Sequence, residues 1–139
     1  MADGTFQFEL VSPARLLFSR AVEMAVIPAA EGEMGVLPGH APMIVALRGG
    51  VIRVRENGQE TERLFVAGGF AEVTPTRCTV LADEATPVTT LSRAAAEERL
   101  REAEAALAEL PLDVQPERRE AAMERLLSAR AMVESAEAA

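Results

Sequence analysis

The chain has 139 residues, a formal net charge of −8 and a hydrophobic share of 49%. That length holds one ordinary domain or two very small ones, and the acidic balance argues against nonspecific binding to nucleic acid or to anionic lipid. Trp and Tyr are absent, which removes the usual stacking platform for single-stranded nucleic acid, and no window approaches the roughly 18 uninterrupted apolar residues of a bilayer-spanning helix.

Met1-Ala2-Asp3-Gly4-Thr5 lacks the basic start and apolar stretch of a signal peptide, so a cytosol-facing chain is expected. The first strand is expected where Phe6, Phe8 and Leu10 alternate with Thr5, Gln7 and Glu9. A second alternation sets Val22, Met24 and Val26 against Ala21, Glu23 and Ala25. The stretch Glu31–Pro42 is dense in Gly and Pro, which reads as a shaped loop and not as a helix or plain strand. It carries Glu31, Glu33, Met34 and the lone imidazole, His40, and a loop so specified suggests a surface that another molecule must fit.

Ile52 and Val54 alternate with Arg53 and Arg55, and Asn57-Gly58 then supplies a two-residue type I′ hairpin turn into Thr61–Val66. Thr74-Pro75-Thr76 turns the chain again before Arg77–Leu81. The only cysteine, Cys78, excludes an internal disulfide and is expected as a small buried hydrophobe. Many short strands with regular turns point to an antiparallel sandwich or barrel.

Near Ala85–Thr90 the composition shifts from Gly, Pro and β-branched residues to Ala, Glu, Arg and Leu. The break predicts a linker between a β domain over 1–87 and a helical domain over 88–139, an α+β chain. Ser92 is positioned as an N-cap. Ala96, Leu100, Ala103, Leu107 and Leu110 form one narrow apolar seam, and Ala122, Leu126, Ala129, Val133 and Ala136 form another. Pro111 stops the first helix and Pro116 opens the second, so the pair makes an antiparallel helical hairpin.

Reactive chemistry is missing. His40 has neither nucleophile nor orienting acid beside it, and one His with one Cys makes a poor metal site. Gly49-Gly50 and Gly68-Gly69 lack phosphate-loop spacing, and the chain contains no lysine. No catalytic residue, cofactor or metal ligand is expected. His40 is either a loop residue bonding nearby backbone or an interface contact.

Gly32-Glu33-Met34-Gly35-Val36-Leu37-Pro38-Gly39-His40-Ala41-Pro42 resembles the hallmark Gly-Glu-x-Gly-x-x-Pro-Gly-His-Ala-Pro of the epsilon subunits of F-type ATP synthases. Phe6–Pro13, Gly49–Val54, Gly68–Val73 and Val80–Asp83 resemble successive strands of that family, and the alanine-rich tail follows in the right order. The resemblance implies a flattened sandwich of about ten strands and a non-catalytic central-stalk (rotor) subunit. It implies binding to the gamma subunit and the c-ring, coupling proton translocation to ATP synthesis, on the cytoplasmic face of the cell inner membrane. Glu31, Glu33, Met34 and His40 fall at the implied rotor interface. The alpha and beta subunits are implied partners of the helices, through Arg118, Arg119, Arg125 and Arg130. The alternative is a nucleotide-sensing inhibitory module. The family's ATP motif, Ile/Leu-Asp-x-x-Arg-Ala, meets Leu91-Ser92-Arg93-Ala94-Ala95-Ala96 here, so Ser92 and Ala95 replace the acid and the arginine.

Overall fold

A computed structural model describes residues 4–138. Period-two alternation becomes strand β1 (Phe6–Ser12), with Phe6, Phe8 and Leu10 buried. There follow β2 (Arg15–Val22), β3 (Met24–Ala29), β4 (Gly32–Val36), β5 (Met43–Leu47), β6 (Gly50–Glu56), β7 (Gln59–Val66), β8 (Gly69–Val73), β9 (Arg77–Ala82) and β10 (Ala85–Pro87). A 3-10 turn (Val88–Thr90) leads to helices α1 (Arg93–Ala108) and α2 (Pro116–Ala138). This is the expected β-sandwich followed by a helical hairpin.

The strands run in the order β10-β7-β6-β3-β5-β8-β9-β1-β2, with β4 on the other edge of β3. Only the bridge Ala29–Leu47 joins β3 to β5, so the sheet folds there into two layers. One layer is β10-β7-β6-β3-β4 and the other is β5-β8-β9-β1-β2. A single core that includes Phe8, Leu10, Ile27, Ile52, Val66, Val73 and Val80 fills the space between them. All pairings are antiparallel except β1 with β9. The register puts turns 30–31, 48–49, 67–68 and 83–84 at one end of the sandwich. Segments 37–42, 57–58 and 74–76 lie at the other. Asn57 and Gly58 take φ of 52° and 76°, as the type I′ turn requires.

Three expectations change. The segment read as a shaped loop is half strand: Gly32–Val36 is β4, paired to β3, and only 37–42 is loop. Its alternation, with Met34 half-buried and Val36 buried, was hidden by the glycines between. The alternation at Val22–Val26 is out of phase. Val22, Ala25 and Ile27 are buried, while Met24 and Val26 are not, because Glu23 interrupts β2 and β3 and shifts the parity. The junction read as a linker is β10, paired to β7, followed by buried Val88.

The helices pack on the outer face of β6 and β7. Leu64 and Val66 point into the sandwich, and Phe65 points out to a second cluster with Val88, Ala96 and Met132. Burying a side chain the size of Phe65 contributes about 1.5–3 kcal/mol. Gly49 allows the close approach of α2: a Cβ there would lie 2.8 Å from Ser128 Cα. Ser128 Oγ donates to the Ala67 carbonyl oxygen at 3.1 Å. Both seams face inward, with Ala96, Ala122, Leu126 and Ala129 buried.

Candidate functional site

Among the described residues no group of His, Cys, Asp and Glu could hold a metal ion. No helix of theirs is long and apolar enough to cross a membrane. No buried side-chain N or O atom among them lacks a partner. The features of interest lie on the surface.

The outer face of the second layer carries exposed apolar side chains at one end, beside the exposed Glu72 that stands opposite Ile44. Phe70 on β8 stands opposite Ala46 on β5 and Leu81 on β9. Ile44 lies two residues along β5, and Val11 on β1 pairs with Leu81. Ile44 is 72% exposed, Phe70 56% and Leu81 55%. Cross-strand neighbours stand about 5 Å apart and diagonal ones about 7–8 Å, so Ala46, Phe70, Leu81 and Val11 form one patch with Ile44 diagonal to Phe70 at its edge. A contiguous apolar patch on an acidic protein marks a surface that a partner covers. Sequence reasoning missed it, although a signal was present. Met43-Ile44-Val45-Ala46-Leu47 is apolar throughout, and a strand without a polar face needs cover on both sides.

Glu31, Glu33 and Met34 lie beside this patch. With Met43 and Ile44 they line a groove of about 450 Å³ between the β3–β4 hairpin and β5. Glu33 points outward, its carboxylate 3.6 Å from the Arg53 guanidinium. Met34 packs its side chain against the core. Glu31 occupies the hairpin turn and is exposed. His40 is elsewhere, at the opposite end of the sandwich. Its Nδ1–H donates to the Ala41 carbonyl oxygen at 2.7 Å. Gly39 N donates to the Pro75 carbonyl oxygen at 2.8 Å, tying that loop to the β8–β9 turn. The fold therefore brings together Glu31, Glu33 and Met34 and leaves His40 apart.

On the hairpin, Ser92 Oγ accepts from Ala95 N at 3.2 Å and caps α1. Arg93 is held by Glu97 at 3.0 Å and Glu137 at 3.4 Å. Arg99 makes a two-pronged bond to Glu84, at 2.5 and 2.9 Å. That hydrogen bond holds the Glu84 carboxyl below its ordinary 4.5 and raises Arg99 above its ordinary value. A cavity of about 430 Å³ lies between the helices and the sandwich. Asp83, Glu84, Glu102 and Glu124 line it against Arg99 and Arg125, an excess of acid that opposes a polyphosphate. At the hairpin tip Arg118 and Arg125 line an open cleft, and Arg119 donates to the Pro111 carbonyl oxygen at 2.9 Å.

Comparison with known proteins gives concordant results. Residues 5–88 match the family model described as the ATP synthase delta/epsilon chain, beta-sandwich domain. The ATP synthase epsilon chain of Granulibacter bethesdensis is 63% identical over 92% of this chain and 94% of its own. That of Rhodospirillum rubrum is 50% identical over 94% and 98%. Among solved structures, a chain of the Euglena gracilis mitochondrial ATP synthase (OSCP/F1/c-ring) superposes with a TM-score of 0.76. It is 23% identical, over 95% of this chain and 81% of its own. A chain of the Tetrahymena thermophila mitochondrial ATP synthase central stalk and c-ring gives a TM-score of 0.65 at 11% identity, over 94% and 96%. At such identities these two structures bear on the fold alone.

Proposed function

We infer function from the premise that this chain belongs to the delta/epsilon chain family of ATP synthases. It works as a non-catalytic rotor subunit of the central stalk, binding the gamma subunit and the c-ring and coupling proton translocation to ATP synthesis. The observation that supports this most is the exposed apolar patch of Ile44, Phe70 and Leu81 on a rigid sandwich face. Torque transfer needs a stiff, preorganised contact area and no reactive group. Glu31, Glu33 and Met34, in the groove beside that patch, are the proposed rotor contacts, and His40 belongs to a separate contact at the other end. Residues 1–87 serve as the rotor-binding domain and 88–139 as the helical domain, in which Arg118 and Arg125 line an open cleft and are the proposed contacts to alpha and beta. The complex holds the chain at the cytoplasmic face of the inner membrane as a peripheral subunit.

Mixing the protein with recombinant gamma subunit and separating by size exclusion tests the reading. One-to-one co-elution is expected, and Phe70→Asp should abolish it. Separate elution of the unsubstituted proteins would overturn the assignment. The nucleotide-sensing alternative requires ATP to bind the hairpin. With Ser92 spent as a cap and Arg93 paired to glutamates, calorimetry should show ATP binding weaker than micromolar. Losing a charge-assisted hydrogen bond costs about 1.5–3 kcal/mol.

A further inference from the structure

The Asn57-Gly58 turn carries a chemistry that the rotor reading does not use. Among the described residues Asn57 is the only non-glycine with positive φ, at 52°, and Gly58 follows at 76°. Asn and Gly suit these angles because each enters the left-handed region at low cost. The same pair is chemically fragile. A glycine brings no side chain to shield its nitrogen, which can attack the carboxamide carbon of the preceding asparagine. The bond from Gly58 N to Asn57 Cγ forms, the Gly58 N–H proton passes to solvent, and the side-chain nitrogen leaves as ammonia. Water then opens the five-membered imide at either carbonyl, giving aspartate or isoaspartate.

Asn57 and Gly58 are both exposed, so water and base reach them freely. Two features oppose the attack. A type I′ turn sets ψ of its first central residue at about 30°, which directs the Gly58 nitrogen away from the Asn57 side chain. The nucleophile is also held, since Gly58 N donates to Glu23 Oε1 at 2.8 Å. Glu23 is fixed in turn, its own N donating to the Arg55 carbonyl oxygen at 2.9 Å. Arg20 of β2 adds ion pairs to Glu56 and Glu62, both at 3.1 Å. The tip of the β6–β7 hairpin is thus pinned to the corner between β2 and β3, and Glu23, the residue that interrupts those strands, supplies the pin.

We propose that Asn57 is a site of spontaneous deamidation and that the Glu23 carboxylate is its brake. Ring closure requires the turn to open and the Gly58 N–H to leave Glu23. A negative charge beside that N–H also disfavours the amide anion through which the nitrogen attacks. Once isoaspartate forms, the main chain gains a methylene, and a two-residue turn no longer holds Glu56 opposite Gln59. Conversion also adds a negative charge one residue from the Glu23 contact, so the altered tip is held less well at its corner.

The test incubates the full chain at pH 8 and follows conversion at Asn57 by mass spectrometry, with isoaspartate read by enzymatic methylation of its carboxyl. The urea-denatured chain should convert at least about tenfold faster than the folded one, the ratio that loss of one charge-assisted hydrogen bond implies. Glu23→Ala should close most of that gap, and Glu23→Gln, which keeps an acceptor, should fall between. Amide exchange at Phe8 and Val80 must be unchanged in Glu23→Ala, which assigns the gain to the turn and not to a looser core. If Glu23→Ala loosens the core, the unsubstituted chain decides: the exposed Gly58 amide should be protected from exchange, and an unprotected one overturns the brake. Equal rates in the folded chain and a folded Glu23→Ala would also overturn it. Faster conversion in the folded chain than in urea would make Glu23 a base that promotes the attack and reverse the proposal. No conversion in urea would remove the site itself.

Discussion

Glu33 sits on β4 with its carboxylate 3.6 Å from Arg53, and both side chains are about half in solvent. A pair so exposed contributes about 0–1 kcal/mol to stability. Glu33→Arg should therefore leave circular dichroism and melting nearly unchanged while weakening ATP-driven proton pumping by the reconstituted complex. A collapsed spectrum would make Glu33 structural instead. Cys78 behaves in the opposite way. It is wholly buried beside Phe8 in the sheet register, and burial pushes its thiol up to about 12. Only the thiolate reacts appreciably. At pH 8 the native protein should resist a thiol reagent that modifies the denatured protein within minutes.

At the scale of elements, the tie between hairpin and sandwich is partly titratable. Arg99 on α1 holds Glu84, just before β10, in its charged form. The folded value of that carboxyl lies below its ordinary 4.5. The contribution is therefore complete above about pH 4.5 and is lost as pH falls through the lowered value. With side chains 48% and 40% exposed, solvent screening limits it to about 0.5–1 kcal/mol. Protection of the α1 amides, relative to their intrinsic exchange rates, should fall as pH drops below about 4.5, and Glu84→Gln should remove that added acid sensitivity. Elements with clean alternation or capping chemistry were legible in the sequence: β1, the Asn57-Gly58 hairpin, Ser92 and the two alanine-leucine seams. Strand β2 was not, because Leu16, Leu17 and Phe18 lie together on an edge strand without a two-residue rhythm. The apolar patch was hidden for a related reason. Its members come from separate strands, and only pairing of β5, β8 and β9 makes them neighbours. Glu31, Glu33 and Met34 were readable as a group since they are adjacent in sequence, whereas the separation of His40 depends on which way β4 runs.

For the whole molecule, the sandwich has its own closed core, and the helices cover only one outer face. A protein ending at residue 88 should fold, give a dispersed amide spectrum and still bind gamma through Ile44, Phe70 and Leu81. It should be less soluble, because Phe65 and Val51 lose the cover of α2. A collapsed spectrum would show that the helices complete the core. A folded fragment unable to bind gamma would move the rotor contact onto the helices.

Among the described residues the lone parallel pairing joins Gln7 to Arg77 and Val11 to Leu81. During synthesis the first strand emerges long before its neighbour. Until then the β1–β2 hairpin presents one unpaired edge and the apolar side chains of Phe6, Phe8 and Leu10. Contacts so distant along the chain slow the search for the native state. Such exposed edges invite self-association in the interval. The ribosome thus sets the timetable: the sandwich closes only after β9 has left the exit tunnel, and the helices, made last, arrive at a face already built to receive them.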